Sequence, residues 1–287
     1  MTREMLEFLS EYIVVFNLSV DGGEKFSNWR RPLKSDSGGV GYYKHVKNIF
    51  PALLYYFPNT KYKVIVCKRC IDLMLSQYLE AEKMGFRNID FVIDLNERGI
   101  FGITRDSSPS GEAWSQEDYN LFTEQLVEIA KEICSGLAVG IERAHVCGID
   151  NIIASLLQNN YEEPACKVLD NRTNSPMSRN ETFCLKNFGF SPENAKNQYL
   201  MELEKNEYRC PRDNKCPFFK GCLQYSCLQD NYGENGQLTY ISTPNCNFYK
   251  GFGIAALNIL NFCHNVDTGP FIGVWLSKFL KEGDYAG

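Results

Sequence analysis

The sequence predicts an α/β protein in two parts: a parallel sheet of strand–helix repeats over residues 1–155, then a cysteine-rich, loop-dominated stretch over 156–287. Three observations carry this reading. In the first part, apolar β-branched runs alternate with segments of helical periodicity, the pattern of right-handed βαβ units. Eight of the twelve cysteines fall between Cys166 and Cys263. From about residue 159 the chain turns to Asn, Pro, Gly, Lys and Cys with little periodicity, and such a stretch buries too little for its length unless metal cross-links it.

Taken in order, Thr2 to Glu11 reads as a short amphipathic helix with Thr2 at its N-cap. Tyr12 to Val20 (YIVVFNLSV) is an apolar run of strand length that stops at the turn sequence Asp21-Gly22-Gly23. Tyr42 to Phe57 places Val46, Ile49, Phe50, Leu53 and Leu54 at helical spacing, with Pro51 expected to kink the helix or start a new turn. Lys63 to Cys67 is a second buried strand, Ile71 to Met84 a helix, and Asn88 to Asp94 (NIDFVID) a third strand. A longer amphipathic helix follows from Gln116 to Cys134, capped by Ser115. Asp118 occupies the capping-box position but is shorter than the usual Glu, so only the Ser half of the box is expected. Three strands are found, which leaves both edges of the sheet open. In the second part helical spacing returns over Asn197 to Glu207 and Gly251 to Cys263, where Phe252 to Phe262 (FGIAALNILNF) reads as a buried amphipathic helix.

Composition narrows the function classes. A hydrophobic share of 44% and a charged share of 23% over 287 residues are those of a chain that folds. A net charge of −5 without clustered basic residues gives no reason to expect nucleic acid as a partner. The N-terminus mixes acids into its apolar residues, unlike a secretory signal, and no apolar run approaches membrane-spanning length. The expected location is therefore the cytoplasm, where twelve cysteines do not read as a disulfide framework. His45, His145 and His264 are too few and scattered for a histidine-based centre, and no phosphate loop or nucleophile elbow is present.

The cysteines themselves form a constellation. Cys210, Cys216 and Cys222 follow one another with five residues between each pair; four residues separate Cys222 from Cys227 and eighteen separate Cys227 from Cys246, with Cys166 and Cys184 upstream. Zinc takes its cysteines in closer pairs, because one tight knuckle then supplies two tetrahedral ligands. Thiolates spread this widely on loops suit an iron–sulfur cubane. Buried structural thiols and a zinc site are the two other readings, and five cysteines within 37 polar, Gly- and Pro-punctuated residues weigh against the first.

The order of these seven cysteines, with Arg179-Asn180-Glu181-Thr182-Phe183-Cys184 standing where a short hairpin ends in cysteine, resembles the SPASM domain of radical S-adenosylmethionine enzymes, the peptide- and protein-modifying type that includes anaerobic sulfatase maturases. That resemblance implies two auxiliary 4Fe-4S clusters. By order, Cys166, Cys184 and Cys227 would ligate the first, its fourth position falling to Cys147, a substrate atom, water or nothing; Cys210, Cys216, Cys222 and Cys246 would ligate the second. The gap between Cys210 and Cys216 is longer than the family's usual one, and the hairpin glycine is replaced.

The first part resembles the same family. Leu18-Ser19-Val20-Asp21-Gly22 is similar to its Ser-Leu-Asp-Gly strand, and Arg31 stands where relatives carry an arginine that pairs with the carboxylate of S-adenosylmethionine. Gly85-Phe86 with Asp90-Phe91, and Trp114 to Asp118, continue the match. The resemblance implies the C-terminal part of a partial (β/α) TIM-like barrel, with Ser19, Asp21 and Arg31 as cofactor contacts. The Cys-x3-Cys-x2-Cys loop that holds the family's S-adenosylmethionine-cleaving cluster is absent from the sequence. Cys67-Lys68-Arg69-Cys70 lacks a third cysteine and reads as a strand-end thiol pair, or as a labile redox or metal pair.

The expected role is therefore iron–sulfur binding within a radical enzyme whose initiating cluster lies elsewhere: either a separate polypeptide carries the N-terminal half of the barrel, or the chain is a truncated gene product, or the remnant serves another role. S-adenosylmethionine would bind only once that partner completes the barrel, and a peptide or protein would be the substrate. The alternative is a non-catalytic iron–sulfur or zinc protein that recognises peptides.

Overall fold

A computed structural model describes residues 3–12, 16–20, 23–30, 41–93, 114–158, 188–205, 210, 216–218, 221–222, 228–266 and 270–280. The chain divides into two compact units, one of residues 1–150, 254–278 and 287, the other of residues 151–253 and 279–286.

The first unit is organised on a four-stranded parallel sheet. Its strands are β1 (Asn17–Ser19), β2 (Lys61–Val66), β3 (Asn88–Ile93) and β4 (His145–Val146), and they lie side by side in chain order. The sequence yields three strands; the fourth is two residues long, too short to register as an apolar run. Strand order without reversal is the winding of a (β/α) barrel, whereas a doubly wound sheet reverses at a switch point.

Helices α1 (Arg3–Ser10), α2 (Gly23–Arg30), α3 (Tyr42–Lys47) and α4 (Phe50–Tyr56) precede β2. Pro51 sits in the first turn of α4, where its missing N–H costs nothing, so it starts a new helix rather than kinking one. A 3-10 turn (Lys68–Leu73) leads from β2 into α5 (Met74–Lys83). Between β3 and β4 lies α6 (Gln116–Ala138). Its capping box is complete: the Asp118 N–H donates to Ser115 Oγ at 3.2 Å, and the Ser115 N–H donates to Asp118 Oδ2 at 2.7 Å. The shorter acid reaches, against the sequence expectation, and also holds Lys68 at 3.1 Å.

Alternation along the strands divides the sheet into two chemically different faces. On one face Val20, Tyr62, Val64, Val66, Ile89, Phe91 and Val146 are each at most 2% exposed. Phe86 stacks with this layer, 4.9 Å from Tyr62 and 5.2 Å from Phe50 between ring centroids. Burying each such side chain stabilises the fold by roughly 1.5–3 kcal/mol. Leu6 of α1 joins Leu53 and Phe57 of the α4 region in a second cluster. The chain is steered into β4 by polar contacts: Tyr78 Oη donates to the Ala144 carbonyl at 2.9 Å, Glu82 accepts the Ala144 N–H at 2.9 Å, and Arg143 bridges Glu82 and Glu132.

β4 runs directly into α7 (Cys147–Gln158). The second unit contains α8 (Pro192–Glu204) and α9 (Leu228–Asn235), and α10 (Thr243–Asn265) begins in it. The helix expected over Gly251–Cys263 starts earlier, so that Cys246 lies in its first turn. The first unit closes with α11 (Pro270–Ser277). Among the described residues, no helix is long and apolar enough to cross a membrane.

Candidate functional site

The second face of the sheet is polar in its first two rows, after which Ile65 and Val92 follow. Asn17 and Ser19 of β1, Lys61 and Lys63 of β2, Asn88 and Asp90 of β3, and His145 of β4 alternate with the buried apolar residues and retain partial or full exposure. The register aligns them in rows: Asn17, Lys61, Asn88 and His145 in one, Ser19, Lys63 and Asp90 in the next. Cys147, the residue after β4, stands close enough to feel the charges of Asp90, Asp150 and Lys61.

Two charge clusters result. Burial raises the Asp90 carboxyl above its ordinary range, and Lys63 and Lys61 oppose that rise without cancelling it. Burial likewise pushes the Cys147 thiol up to about 12, with Asp90 and Asp150 adding to the effect. Cys147 is a protonated thiol at neutral pH. In β4, burial alone would depress His145, but Asp150 and Glu142 outweigh it and carry the imidazole to about 9. Its Nδ1 lies 2.9 Å from Asp150 Oδ2 and its Nε2 2.8 Å from Glu142 Oε1, while Trp275 stacks over the ring at 6.5 Å. Lys278 also reaches Glu142, at 2.5 Å. His145 is a structural imidazolium in a charge network. Sequence reading passed over Lys61, Lys63 and Asn88; the signal that finds them is the polar–apolar alternation in KYKVIV and NIDFVI.

Of the cofactor contacts suggested by sequence, Ser19 is in β1, in register with Lys63, and its carbonyl accepts from Tyr42 Oη at 3.2 Å. Asp21 and Arg31 lie outside the described residues, as do Cys166, Cys184 and Cys227.

The remaining four cysteines come together in the second unit. Cys222 and Cys246 are each 5% exposed, and Cys210 and Cys216 are half-buried. Burial raises the Cys222 thiol well above its ordinary value, and Cys246, Cys216 and Cys210, in that order, raise it further, so all three stand within electrostatic reach of it. Residues separated by up to 36 positions are thus gathered around one thiol.

Local structure explains the gathering. The Cys222 N–H donates to the Phe218 carbonyl at 2.8 Å, which ties the two residues together. Phe218 lies flat against Gly253 of α10: a Cβ there would come within 2.7 Å of three ring atoms. Phe218, bonded to Cys222 and two positions after Cys216, is thereby seated on the helix that carries Cys246. Gly221 meets α7 just as closely, since a Cβ would stand 2.8 Å from Ile152 Cδ1. The N-terminus of α10 is fixed in turn. Ser242 Oγ accepts the Asn245 N–H at 3.3 Å as an N-cap, while the buried Asn231 Oδ1 accepts from the Ser242 N–H at 2.9 Å and from Asn245 Nδ2 at 3.1 Å. The preceding loop is held by Glu202, 1% exposed, which accepts from the Thr239 N–H and hydroxyl at 2.9 and 2.8 Å. Among the described residues no three His, Cys, Asp or Glu side chains form a group that would hold a metal ion.

No family model matches the chain, and no curated protein matches it in sequence. A solved structure does match in fold: histidine-tagged anSMEcpe with bound AdoMet, an anaerobic sulfatase-maturating radical S-adenosylmethionine enzyme, superposes with a TM-score of 0.58. The match covers 96% of this chain and 72% of that one, at 15% identity. This chain shares the backbone fold of that structure. At that identity the likeness extends to the path of the backbone, and the residues that differ set the chemistry.

Proposed function

We propose that this chain is an iron–sulfur component of a radical S-adenosylmethionine enzyme that modifies a peptide or protein. Cys210, Cys216, Cys222 and Cys246 ligate one auxiliary 4Fe-4S cluster. Cys166, Cys184 and Cys227 ligate a second within the SPASM-like region 156–287. The observation that carries the reading is the presence of three further cysteines, Cys246, Cys216 and Cys210, within electrostatic reach of Cys222. An all-thiolate donor set matches cubane ligation. Zinc takes its cysteines in closer pairs than the five-residue gaps that separate Cys210, Cys216 and Cys222.

The polar sheet face supplies the other half of the reading. Ser19 is the last residue of β1 and shares a row with Lys63 and Asp90, which lie in the first half of β2 and β3. Ser19, Asp21 and Arg31 contact S-adenosylmethionine once a separate polypeptide supplies the remaining barrel strands and the initiating cluster. The auxiliary clusters bind substrate or carry an electron away from its radical.

Anaerobic purification with iron, sulfide and zinc analysis tests the first half. About 8 iron atoms per chain is the expected result for two cubanes, and zinc without iron overturns it. The second half is tested by assaying 5′-deoxyadenosine release. The chain alone is expected to release none, and the chain combined with the product of the neighbouring upstream reading frame is expected to release it. Failure of the combination with iron bound leaves an iron–sulfur protein without radical chemistry.

A further inference from the structure

Outside the sites described above, one pair of reactive groups stands in contact. Cys67 closes β2 and Cys70 lies one turn later in the 3-10 segment, and their sulfurs are 3.2 Å apart with no bond between them. Around this pair the backbone is already folded into a closed turn: the Cys70 N–H donates to the Cys67 carbonyl at 3.0 Å. Each sulfur also receives a backbone N–H of the other residue, that from Cys67 reaching Cys70 Sγ at 3.1 Å. Sulfur accepts such hydrogen bonds more strongly as thiolate than as thiol. Two basic residues, Lys68 and Arg69, separate the pair, and Lys68 is anchored to Asp118 at 3.1 Å. The two residues are 1% and 3% exposed, packed with Leu73 in a small cluster of their own.

We propose that Cys67 and Cys70 are a redox couple, oxidised by a low-molecular-weight disulfide such as oxidised glutathione to an intramolecular disulfide that ties the end of β2 to the start of the following helix. One cysteine thiolate attacks the glutathione disulfide, forming a mixed disulfide and releasing one glutathione thiolate, which takes up the proton the cysteine lost. The second cysteine then attacks the protein sulfur of that mixed disulfide and releases the second glutathione. Two electrons and two protons pass from the cysteine pair to the oxidant. The sulfurs approach by about 1 Å to reach the ~2.05 Å of a disulfide, a movement open to the side chains within the closed turn. Because both thiols are buried, attack waits on local opening, and exchange is slower than at an exposed thiol by a factor on the order of ten or more.

The residues between the cysteines provide the readout. Trypsin cleaves after Lys63, Lys68, Arg69 and Lys83, so the reduced chain yields residues 64–68 and 70–83 as separate peptides. The disulfide form yields them as one cross-linked species. The full chain is equilibrated with reduced or oxidised glutathione, exchange is quenched with acid, the thiols are blocked with excess N-ethylmaleimide near neutral pH under denaturing conditions, and the digest is read by mass spectrometry. The expected result is separate, alkylated peptides under reduced glutathione and the cross-linked pair as the main form of these residues under oxidised glutathione, reverting on addition of dithiothreitol. The Cys70→Ser variant is expected to stop at Cys67 bearing one glutathione. The proposal is overturned if the pair stays alkylated at all ratios, if Cys67 or Cys70 links instead to another cysteine, or if wild-type Cys67 accumulates as the glutathione adduct. It is equally overturned if both thiols resist alkylation in the native, reduced protein until a chelator strips bound zinc or iron, because the pair is then a metal site.

Discussion

At the scale of single residues, the charges on and beside the polar sheet face make opposite demands on stability. His145 is held as an imidazolium by Asp150 and Glu142 against the cost of its burial, with its ionisation raised to about 9. A group whose folded value exceeds its unfolded one, about 6.5 for histidine, contributes stability that is fully present below that unfolded value. The contribution is lost as pH rises through about 9. Replacing His145 with Gln is expected to cost on the order of 2 kcal/mol at pH 6 and far less above pH 9, read as the difference in urea midpoints between variant and wild type. Asp90 behaves in the reverse sense. Burial raises its ionisation and the two lysines only partly compensate, so the ionised form carries a net cost above the ordinary carboxylate range. Asp90→Asn is expected to stabilise the chain by about 1 kcal/mol at pH 7, the gain fading below about pH 4 where the carboxyl is protonated in both states. A destabilised variant would instead mean that Asp90 holds its lysines in place. A stabilising loss of a buried charge is the signature of a residue kept for function.

At the scale of elements, the interactions that matter are close approaches invisible to periodicity. Gly253 reads in the sequence as one small residue in an apolar helix, yet it is the surface on which Phe218 rests. Gly253→Ala is expected to cost roughly 1–3 kcal/mol by overpacking. It is also expected to lower the iron bound per chain, because Phe218, bonded to Cys222, loses its seat; unchanged iron content in a folded variant would show that the cluster, not the ring contact, positions Cys222. The Ser115–Asp118 box gives a cleaner case, since Asp118→Ala removes both the acceptor for the Ser115 N–H and the partner of Lys68. A loss of about 1 kcal/mol is expected in thermal or urea unfolding. These cases mark what was legible beforehand. β2, β3 and α6 were readable because apolar residues recur with the period of the element and fill a core. β4 was not, because two residues cannot display a period, and its place is set by Tyr78, Glu82 and Arg143 acting through polar contacts from distant positions. The start of α10 was masked by Thr243-Pro244, which breaks the apolar pattern although a proline is well tolerated in a first turn. Cys210, Cys216, Cys222 and Cys246 were legible from spacing, whereas Lys63 and Asp90 needed the strand register to be seen as neighbours.

At the scale of the whole molecule, the two units depend on different physics. The first has a conventional core in which Tyr62, Tyr78, Phe86, Phe91 and Phe122 are all fully buried, so its sheet requires no cofactor to persist. In the second, order around Cys222 depends on two close glycine contacts and a small polar network, and cluster ligation is expected to supply much of the remaining free energy. Removing iron with a chelator under anaerobic conditions is therefore expected to act unevenly. Amide hydrogen exchange should accelerate by at least about tenfold across 216–222 and the first turns of α10, while the ladder amides of β2 and β3 keep their protection. Equal acceleration everywhere would mean that the sheet itself is held together by the clusters. No acceleration anywhere would mean that iron, if present, binds without contributing to the fold. The uneven outcome follows from where the apolar area lies: a parallel sheet with one fully apolar face stabilises itself, and a loop region that relies on its buried cysteines does not.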